Sequence, residues 1–477
     1  MATATKATAL GDGLRAALPV GAVVIDDPNQ LECYAYDASF EAMMRPRLPE
    51  AVVQPRNAED VSRTLAYAFE HRVPVTPRGA ATGQAGGALP ARGGIVVDVS
   101  GMNRVVELNA ADLQVTVEPG IVHADLNDFL AKSKLIFPPD PGSSRMCTVG
   151  GMVSNNSRGM RAIKYGSTGD YVLGLEVVLA DGRVIQTGSI GSGALQSSSG
   201  FELTKLIVGS EGMLGVITRL RLKVIPKPQT RGIVMAEFGR LAAAGKSVVA
   251  VLGAGILPSA IEILDASAIL AVNLYRPALK LPNAEAILLY EVDGNPASVA
   301  QDARKIAEVV APLADRTEWS DEPKRVAALW EARSVVGAAS GMIKPGSARV
   351  YAGEDICVPL TRVPETLLAI QSLAREHDLT VVTYGHIASG NVHPAPVINV
   401  ADPEQVRRVR LFADAVHRLA RRMGGTVTGE HGVGLTRIDY MREEHGPALD
   451  VMWTLKQALD PRNIMNPGKL FPADLSG

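Results

Sequence analysis

Cysteine is nearly absent. The three in 477 residues, Cys33, Cys147 and Cys357, stand more than a hundred positions apart and form no CxxC pair. That excludes a disulfide framework and an iron–sulfur cluster held by this chain alone, and it reads as reduced thiols in a cytoplasmic protein. No charge sign prevails either: 48 Lys and Arg face 50 Asp and Glu. Without a basic surplus, nucleic acid is not an expected partner. No run of 18 apolar residues occurs, and residues 1–10 (MATATKATAL) lack the apolar core of a signal peptide. A ragged N-terminus and no membrane span are expected. GxGxxG is missing too, so a nicotinamide site of the Rossmann kind is unsupported. Gly239 with Gly245-Lys246-Ser247 imitates a P-loop, but five residues separate the glycines and the Ala-rich run between them reads as helix.

What is present is a soluble, globular composition with glycine-rich stretches between short periodic segments. Asn57 is placed to cap a helix carrying Val61, Leu65 and Phe69, which must stop before Pro74. Val73–Thr76, Ile95–Val99, Arg104–Leu108 and Gln114–Val117 read as short strands, and Leu173–Leu179 turns through Asp181-Gly182 into Val184-Ile185 as a hairpin. Pro226-Lys227-Pro228 interrupts this α+β pattern, and a second domain of alternating helices and strands is expected over 229–426. Within it Asp402-Pro403 starts a helix that Gly424-Gly425 ends. Its arginines (407, 408, 410, 418, 421, 422) read first as a solvated face.

Several stretches carry chemistry. PRGAATGQAGG, residues 77–87, can turn backbone N–H groups and a guanidinium toward a pyrophosphate. Gly150-Gly151, Gly159 and Gly209-Ser-Glu-Gly-Met-Leu-Gly215 let backbone approach a large planar ligand closely, and Pro138-Pro139-Asp140-Pro141 joins them. His386 and His393, in GHIASGNVHP, cannot share a helix because Gly385, Gly390 and Pro394 intervene, and an extended strand would set them on opposite faces. A turn through Ser389-Gly390-Asn391 would bring them together. With Glu430 of TGEHGVG they make a two-histidine, one-carboxylate ligand set. The alternative, ordinary buried or loop histidines, stays open on the residues alone.

Taken in order, RGAATGQAGGALP, PPDPGSSRMCTVGGMVSNNSRG, YGSTGDYVLGLEVVLADG, GSEGMLGVIT, GEHGVG and LDPRNIMNPGK resemble the FAD-linked oxidases of the vanillyl-alcohol oxidase and p-cresol methylhydroxylase superfamily. The branch is that of the bacterial glycolate oxidase flavin subunit, with D-lactate and D-2-hydroxyglutarate dehydrogenases. The resemblance runs from about Tyr36 to Leu470. It implies an α+β fold: a two-lobed FAD-binding domain (1–228), an α+β substrate or cap domain (229–426), and a C-terminal segment (427–477) returning to the flavin. It implies that Pro77, Arg78, Gly79, Ala80, Ala81, Thr82, Gly83 and Gly86 hold the pyrophosphate. Pro141, Ser143, Thr148, Gly150, Gly151, Asn156 and Gly159 would line the cofactor, completed by Glu211, Gly215, Ile217 and Asn466. Residues 77–87 contain no histidine, so FAD is expected to be non-covalent.

The same resemblance assigns His386, His393 and Glu430 to a divalent metal (Zn, Mn or Fe) and His431 to the base that takes a hydroxyl proton while hydride passes to flavin. Arg333, after Leu329-Trp330, would bind the substrate carboxylate, with Lys344 as a second cation; Asp355 matches as well, with a structural role equally open. Two departures stand out. Ser157-Arg158 replaces Ala-Gly, and Ala388-Ser389 replaces the Gly-Asp usual between the two histidines. The second removes a carboxylate expected to steady the metal ligands from outside.

The expectation is therefore FAD-dependent oxidation of a short D-2-hydroxy acid, glycolate or D-lactate first and D-2-hydroxyglutarate as the alternative. Electrons would pass to an iron–sulfur subunit, an electron-transferring flavoprotein, or a quinone or cytochrome, which could also bring the cytoplasmic chain to a membrane. A homo-oligomer is compatible with all of this. A flavin-dependent transferase is a competing class, but the C-terminal histidine run it carries is missing, since only His431 and His445 lie beyond residue 426. A silent flavin subunit is a third reading, against which Glu430-His431 stands.

Overall fold

The structure is a computed structural model describing residues 2–476, with side chains described from residue 9 to 475. The N-terminus departs from expectation: Ala2–Ala17 is helical, and Leu14 and Leu18 are buried in the core of the first sheet. Asn57 caps the helix Ala58–His71 by accepting from the Asp60 N–H at 3.0 Å, and the helix ends in left-handed Arg72 before Pro74. Its apolar positions Val61, Leu65 and Ala68 face Val53, Val75, Ile95 and Val97. These belong to a four-stranded sheet, Val23–Ile25, Ala51–Gln54, Ile95–Asp98 and Val75–Arg78 in spatial order. An antiparallel five-stranded sheet follows: Val105–Asn109, Gln114–Val117, Val216–Lys223, Val172–Val178 and Val184–Gly188. The glycine-rich stretches lie at the ends of these strands.

Residues beyond 229 build an eight-stranded antiparallel sheet. Its central strands bury both faces, with neighbouring residues sent to two different cores. Val234, Ala236 and Phe238 of Thr230–Phe238 join one core, and Ile233 and Met235 the other; Leu288 and Tyr290 part from Ile287 and Leu289 in the same way. A slip of one residue would exchange the two sets, so the register is strongly fixed. Helices Leu241–Gly253, Pro296–Val310, Val363–Glu376 and Pro403–Arg422 cover the first face. Ala266–Tyr275 and Pro323–Ser334 cover the second. In the P-loop imitation Gly239 precedes the helix Leu241–Gly253, while Gly245-Lys246-Ser247 and the Ala-rich run before them lie inside it. Asp402 caps Pro403–Arg422 as expected, and several of its arginines are tied to acids, Arg407 and Arg408 to Glu404 and Arg418 to Asp414.

The chain end comes back to the first sheet. Val75 donates to the Ile464 carbonyl at 2.7 Å, the Asn466 N–H donates to Val75 O at 2.7 Å, and the Leu470 N–H reaches Gly434 O at 3.0 Å. No helix among the described residues is long and apolar enough to cross a membrane.

Candidate active site

The strands Thr380–Gly385 and Asn391–Ile398 pair with Tyr384 opposite His393. One helical turn, Ile387–Ser389, and left-handed Gly390 (φ 79°) connect them. A side chain at Gly390 would sit 1.9 Å from the Val358 carbonyl, so only glycine fits there. This turn reverses the strand parity that separates residues seven apart, and the rings of His386 and His393 lie 5.2 Å apart, edge to face. His431 stacks on His393 at 5.3 Å.

His431 comes from the loop 428–434, which buried Asp355 organises. The Asp355 carboxylate accepts from the backbone N–H of Glu430 (3.1 Å) and His431 (2.8 Å), from Thr428 Oγ1 (2.7 Å) and from Asn391 Nδ2 (2.8 Å). Asp355 is itself held at φ 71°, a strained conformation for a non-glycine residue. Glu211, also left-handed, accepts from the N–H groups of Val433 and Gly434 at 2.7 and 2.8 Å. Asn155 Nδ2 donates to the Glu430 carbonyl at 2.7 Å. The glycine-rich lobe and the last loop thus hold each other in place.

All three imidazoles turn Nε2 toward one oxygen, Glu430 Oε1: His386 at 3.1 Å, His393 at 3.4 Å and His431 at 3.7 Å. Two acids that the sequence reading did not single out back them. Glu262, wholly buried on the strand Ala260–Asp265, accepts from His386 Nδ1 at 2.7 Å and from Arg333 Nε at 2.5 Å. Glu354 Oε1 lies 3.4 Å from His431 Nδ1 and 3.3 Å from Arg437, whose guanidinium also donates to the carbonyls of Val427, Gly432 and Glu354. An acid inside the aliphatic strand Ala-Ile-Glu-Ile-Leu-Asp was the available signal for Glu262, because buried acids need partners.

Burial penalises every charge here, yet pairing prevails for most. Burial pulls His386 down, but Glu262 and Glu430 outweigh it and raise its pKa to about 10. Burial pushes Glu354 up, but His431 and Arg437 bring it to about 2, so it stays ionised. Glu430 is held well below the ordinary range despite burial, chiefly by His386. His431 is raised against burial by Asp355 and Glu354, whereas burial and its two charged neighbours lower His393.

The donor set suits a cation. Glu262, Glu354, Asp355 and Glu430 outnumber by two the guanidiniums that touch them, Arg333 and Arg437. Ligand atoms of Asp355, His393, Glu430 and His431 lie within 4.8 Å of one another. Backbone and side-chain donors occupy Asp355, which leaves His393, His431 and Glu430 of that group with atoms open to a cation; His386 lies outside the group, its Nε2 3.1 Å from Glu430 Oε1. His393 Nδ1, Asn391 Oδ1, Glu354 Oε2 and His431 Nδ1 are buried without a hydrogen-bond partner, an unusual density of unmet polar atoms.

The flavin-side residues fit a dinucleotide through backbone rather than through Arg78. The Arg78 guanidinium lies over the rings of Tyr34 and Tyr36 and donates to Tyr36 O at 2.7 Å, so it is committed to that segment. Ala81 is left-handed, and a side chain at Gly83, Gly87 or Gly142 would meet no atom within 4 Å, which leaves a backbone-lined cradle. Gly79 packs on Thr148, the cap of the helix Val149–Asn155 that carries Gly150 and Gly151, while Gly150 packs on Pro119. Asn156, left-handed, accepts from Gly169, Gly159 abuts Asp140 O, and Gly215 abuts Val177 beside buried Ile217. Asn466 donates to Gly87 O and Glu211 O, joining the two glycine loops. Pro141 and Ser143 carbonyls accept from Ser144 and Met146 in the turn before Thr148.

Arg333 is buried over the Tyr384 ring at 4.8 Å, the ring that His393 approaches at 5.3 Å. Lys344 is not. It is exposed and lines an outer recess of about 350 Å³ with Asp378, Thr380, Gln405 and Arg408. The turn after Ile343 ends at Pro345-Gly346 and leaves Lys344 on the surface. The missing acid at Ser389 is compensated: Glu262 already holds His386, Ala388 is buried in the core, and Ser389 Oγ donates back to His386 O at 3.0 Å.

Comparison with known proteins gives the family. Residues 227–470 match the family described as FAD linked oxidases, C-terminal domain, and residues 49–188 match the FAD binding domain. A glycolate oxidase subunit, GlcD, of Bacillus subtilis is 37% identical over 92% of both chains. A probable mitochondrial D-lactate dehydrogenase of Danio rerio is 36% identical over 90% of this chain and 86% of its own. The solved structure of p-cresol methylhydroxylase with substrate bound superposes with a TM-score of 0.82 over 98% of both chains at 17% identity, a likeness of fold.

Proposed function

The chain belongs to the FAD-linked oxidases and is an FAD-dependent oxidoreductase, and from that premise we propose that it oxidises a short D-2-hydroxy acid, glycolate or D-lactate, to the 2-oxo acid. The observation that carries the reading is the convergence of three imidazoles on Glu430 beside Arg333. Residues 1–228 and 427–477 serve the flavin, and 229–426 the substrate. Bound FAD would accept the C2 hydrogen as hydride. A divalent cation on His386, His393 and Glu430 would polarise the C2 hydroxyl. Ionised Glu354, 3.4 Å from His431 Nδ1, can only accept, so its charge would favour the proton on Nδ1 and leave Nε2 to take the hydroxyl proton. Arg333, its Nε anchored on Glu262, offers its outer N–H pair to the substrate carboxylate. The two electrons that FAD would take up would leave to a separate acceptor, an iron–sulfur subunit, an electron-transferring flavoprotein, or a quinone or cytochrome.

Anaerobic mixing of the FAD-loaded, metal-supplied protein with glycolate, D-lactate and D-2-hydroxyglutarate tests this. Loss of the oxidised-flavin absorbance with a short hydroxy acid is expected. Failure of all three to bleach it would refute the proposal, and bleaching by D-2-hydroxyglutarate alone would move the substrate to the longer acid.

A further inference from the structure

Arg349 is a second guanidinium beside the site, and its surroundings differ from those of Arg333. On the strand Ala348–Arg349 it pairs opposite Val397, four residues along the same strand from His393, so both side chains leave the sheet on one face. Its guanidinium donates to the hydroxyls of Tyr384 and Tyr351 and lies 4.2 Å from the Tyr351 ring and 5.9 Å from that of Tyr384. Tyr384 is the same ring that Arg333 covers at 4.8 Å and His393 approaches at 5.3 Å. Both guanidiniums and a proposed metal ligand therefore meet on one tyrosine.

Arg333 is neutralised by Glu262, whereas among the described residues no acid is paired with Arg349. Glu354, whose charge reaches it, is already paired with Arg437 and lies beside His431. A partly buried guanidinium with two neutral acceptors keeps its full charge, which is costly unless an anion arrives. Tyr351 and Tyr384 accept from Arg349 through their oxygens, so both hydroxyl hydrogens remain to be donated. Gly337 makes room: a side chain there would stand 3.0 Å from Arg349 Nη2.

We propose that Arg349, with the hydroxyls of Tyr351 and Tyr384, completes the seat of the substrate carboxylate beside the outer N–H pair of Arg333, supplying the net positive charge that Arg333 shares with Glu262. This rests on the hydroxy-acid reading above and assigns to Arg349 the part that Lys344 was expected to play.

The test uses full-length FAD-loaded protein and propionate, which has the carboxylate but no hydroxyl and cannot be oxidised. Propionate binding is followed by the flavin difference spectrum, alongside anaerobic bleaching by D-lactate. Arg349→Met should weaken propionate binding and raise the D-lactate KM about tenfold or more, with a smaller loss in kcat. Added guanidinium chloride should restore part of the KM in Arg349→Ala. Thermal stability of the ligand-free variant should not fall, since no ion pair is lost. Gly337→Ala, which displaces the guanidinium and keeps the charge, should raise KM in the same direction and guards against a misfolded first variant. Unchanged propionate affinity and KM in both variants, or a lowered melting temperature with unchanged KM, would overturn the assignment. If no hydroxy acid bleaches the wild type while propionate binding still depends on Arg349, the substrate reading fails and the anion seat stands.

Discussion

Two buried charge clusters invite comparison. One joins the glycine-rich lobe to the large sheet: Arg161 makes paired bonds to Glu291 at 2.7 and 2.9 Å and a third to Asp140, and Ser259 donates to Glu291 at 2.9 Å. Lys164 and Tyr165 each donate to one oxygen of the Asp293 carboxylate beside it. Each charge there has its counter-charge, and Arg161 holds Glu291 ionised in spite of burial. The other cluster, around Glu430, is as deep but leaves four polar atoms of His393, Asn391, Glu354 and His431 unmet. Similar residues are used in both. A satisfied network is a clamp, and an unsatisfied one is a place where chemistry supplies the missing partner.

The largest effect should come from His431→Ala, which is expected to slow anaerobic flavin reduction by roughly a hundredfold to ten-thousandfold while FAD remains bound. Stopped-flow absorbance beside the flavin-to-protein ratio measures both, and a normal rate would remove His431 as the base. The clamp should answer differently. Glu291→Gln leaves the buried Arg161 without its main partner and is expected to cost about 3–5 kcal/mol of stability in denaturant unfolding. Flavin reduction per folded molecule should persist; a loss of turnover without a loss of stability would erase the distinction between the clusters.

Glu262→Gln lies between these extremes, because Glu262 steadies both a proposed ligand and Arg333. Metal affinity should drop roughly ten- to a hundredfold, as for other outer partners of metal-bound histidines, and competition against a chelator of known affinity reads it directly. The smallest change is expected from Ser389→Asp. Returning the missing carboxylate should alter metal affinity by only about twofold. A gain as large as the Glu262→Gln loss would show that the departure at Ser389 had retuned the site after all.

Local features were readable from sequence. The turn that gathers His386 and His393 follows from Gly385, Gly390 and Pro394, and the caps at Asn57 and Asp402 follow from residue type and spacing. What escaped was set by long-range contact. Glu262 meets His386 across 124 positions, and nothing in either neighbourhood announces the other. Glu354 faces the His431 ring at 3.4 Å together with its neighbour Asp355 at 3.8 Å, and nothing in its own surroundings marks it. Arg78 sits in the glycine loop as though aimed at phosphate, but the rings of Tyr34 and Tyr36, more than forty positions earlier, claim its guanidinium. Lys344 reads as a second cation for the substrate but lines an outer recess, since proximity to the helix that carries Arg333 says nothing about which way a side chain is turned.

The most direct test of the account is anaerobic reduction by D-lactate or glycolate measured on one preparation three times: as metal-loaded protein, after chelation, and after divalent metal is returned. The account predicts flavin bleaching in the first state, its loss in the second with FAD still bound, and its recovery in the third. Equal bleaching before and after verified metal removal, or none in the metal-loaded state, would contradict it.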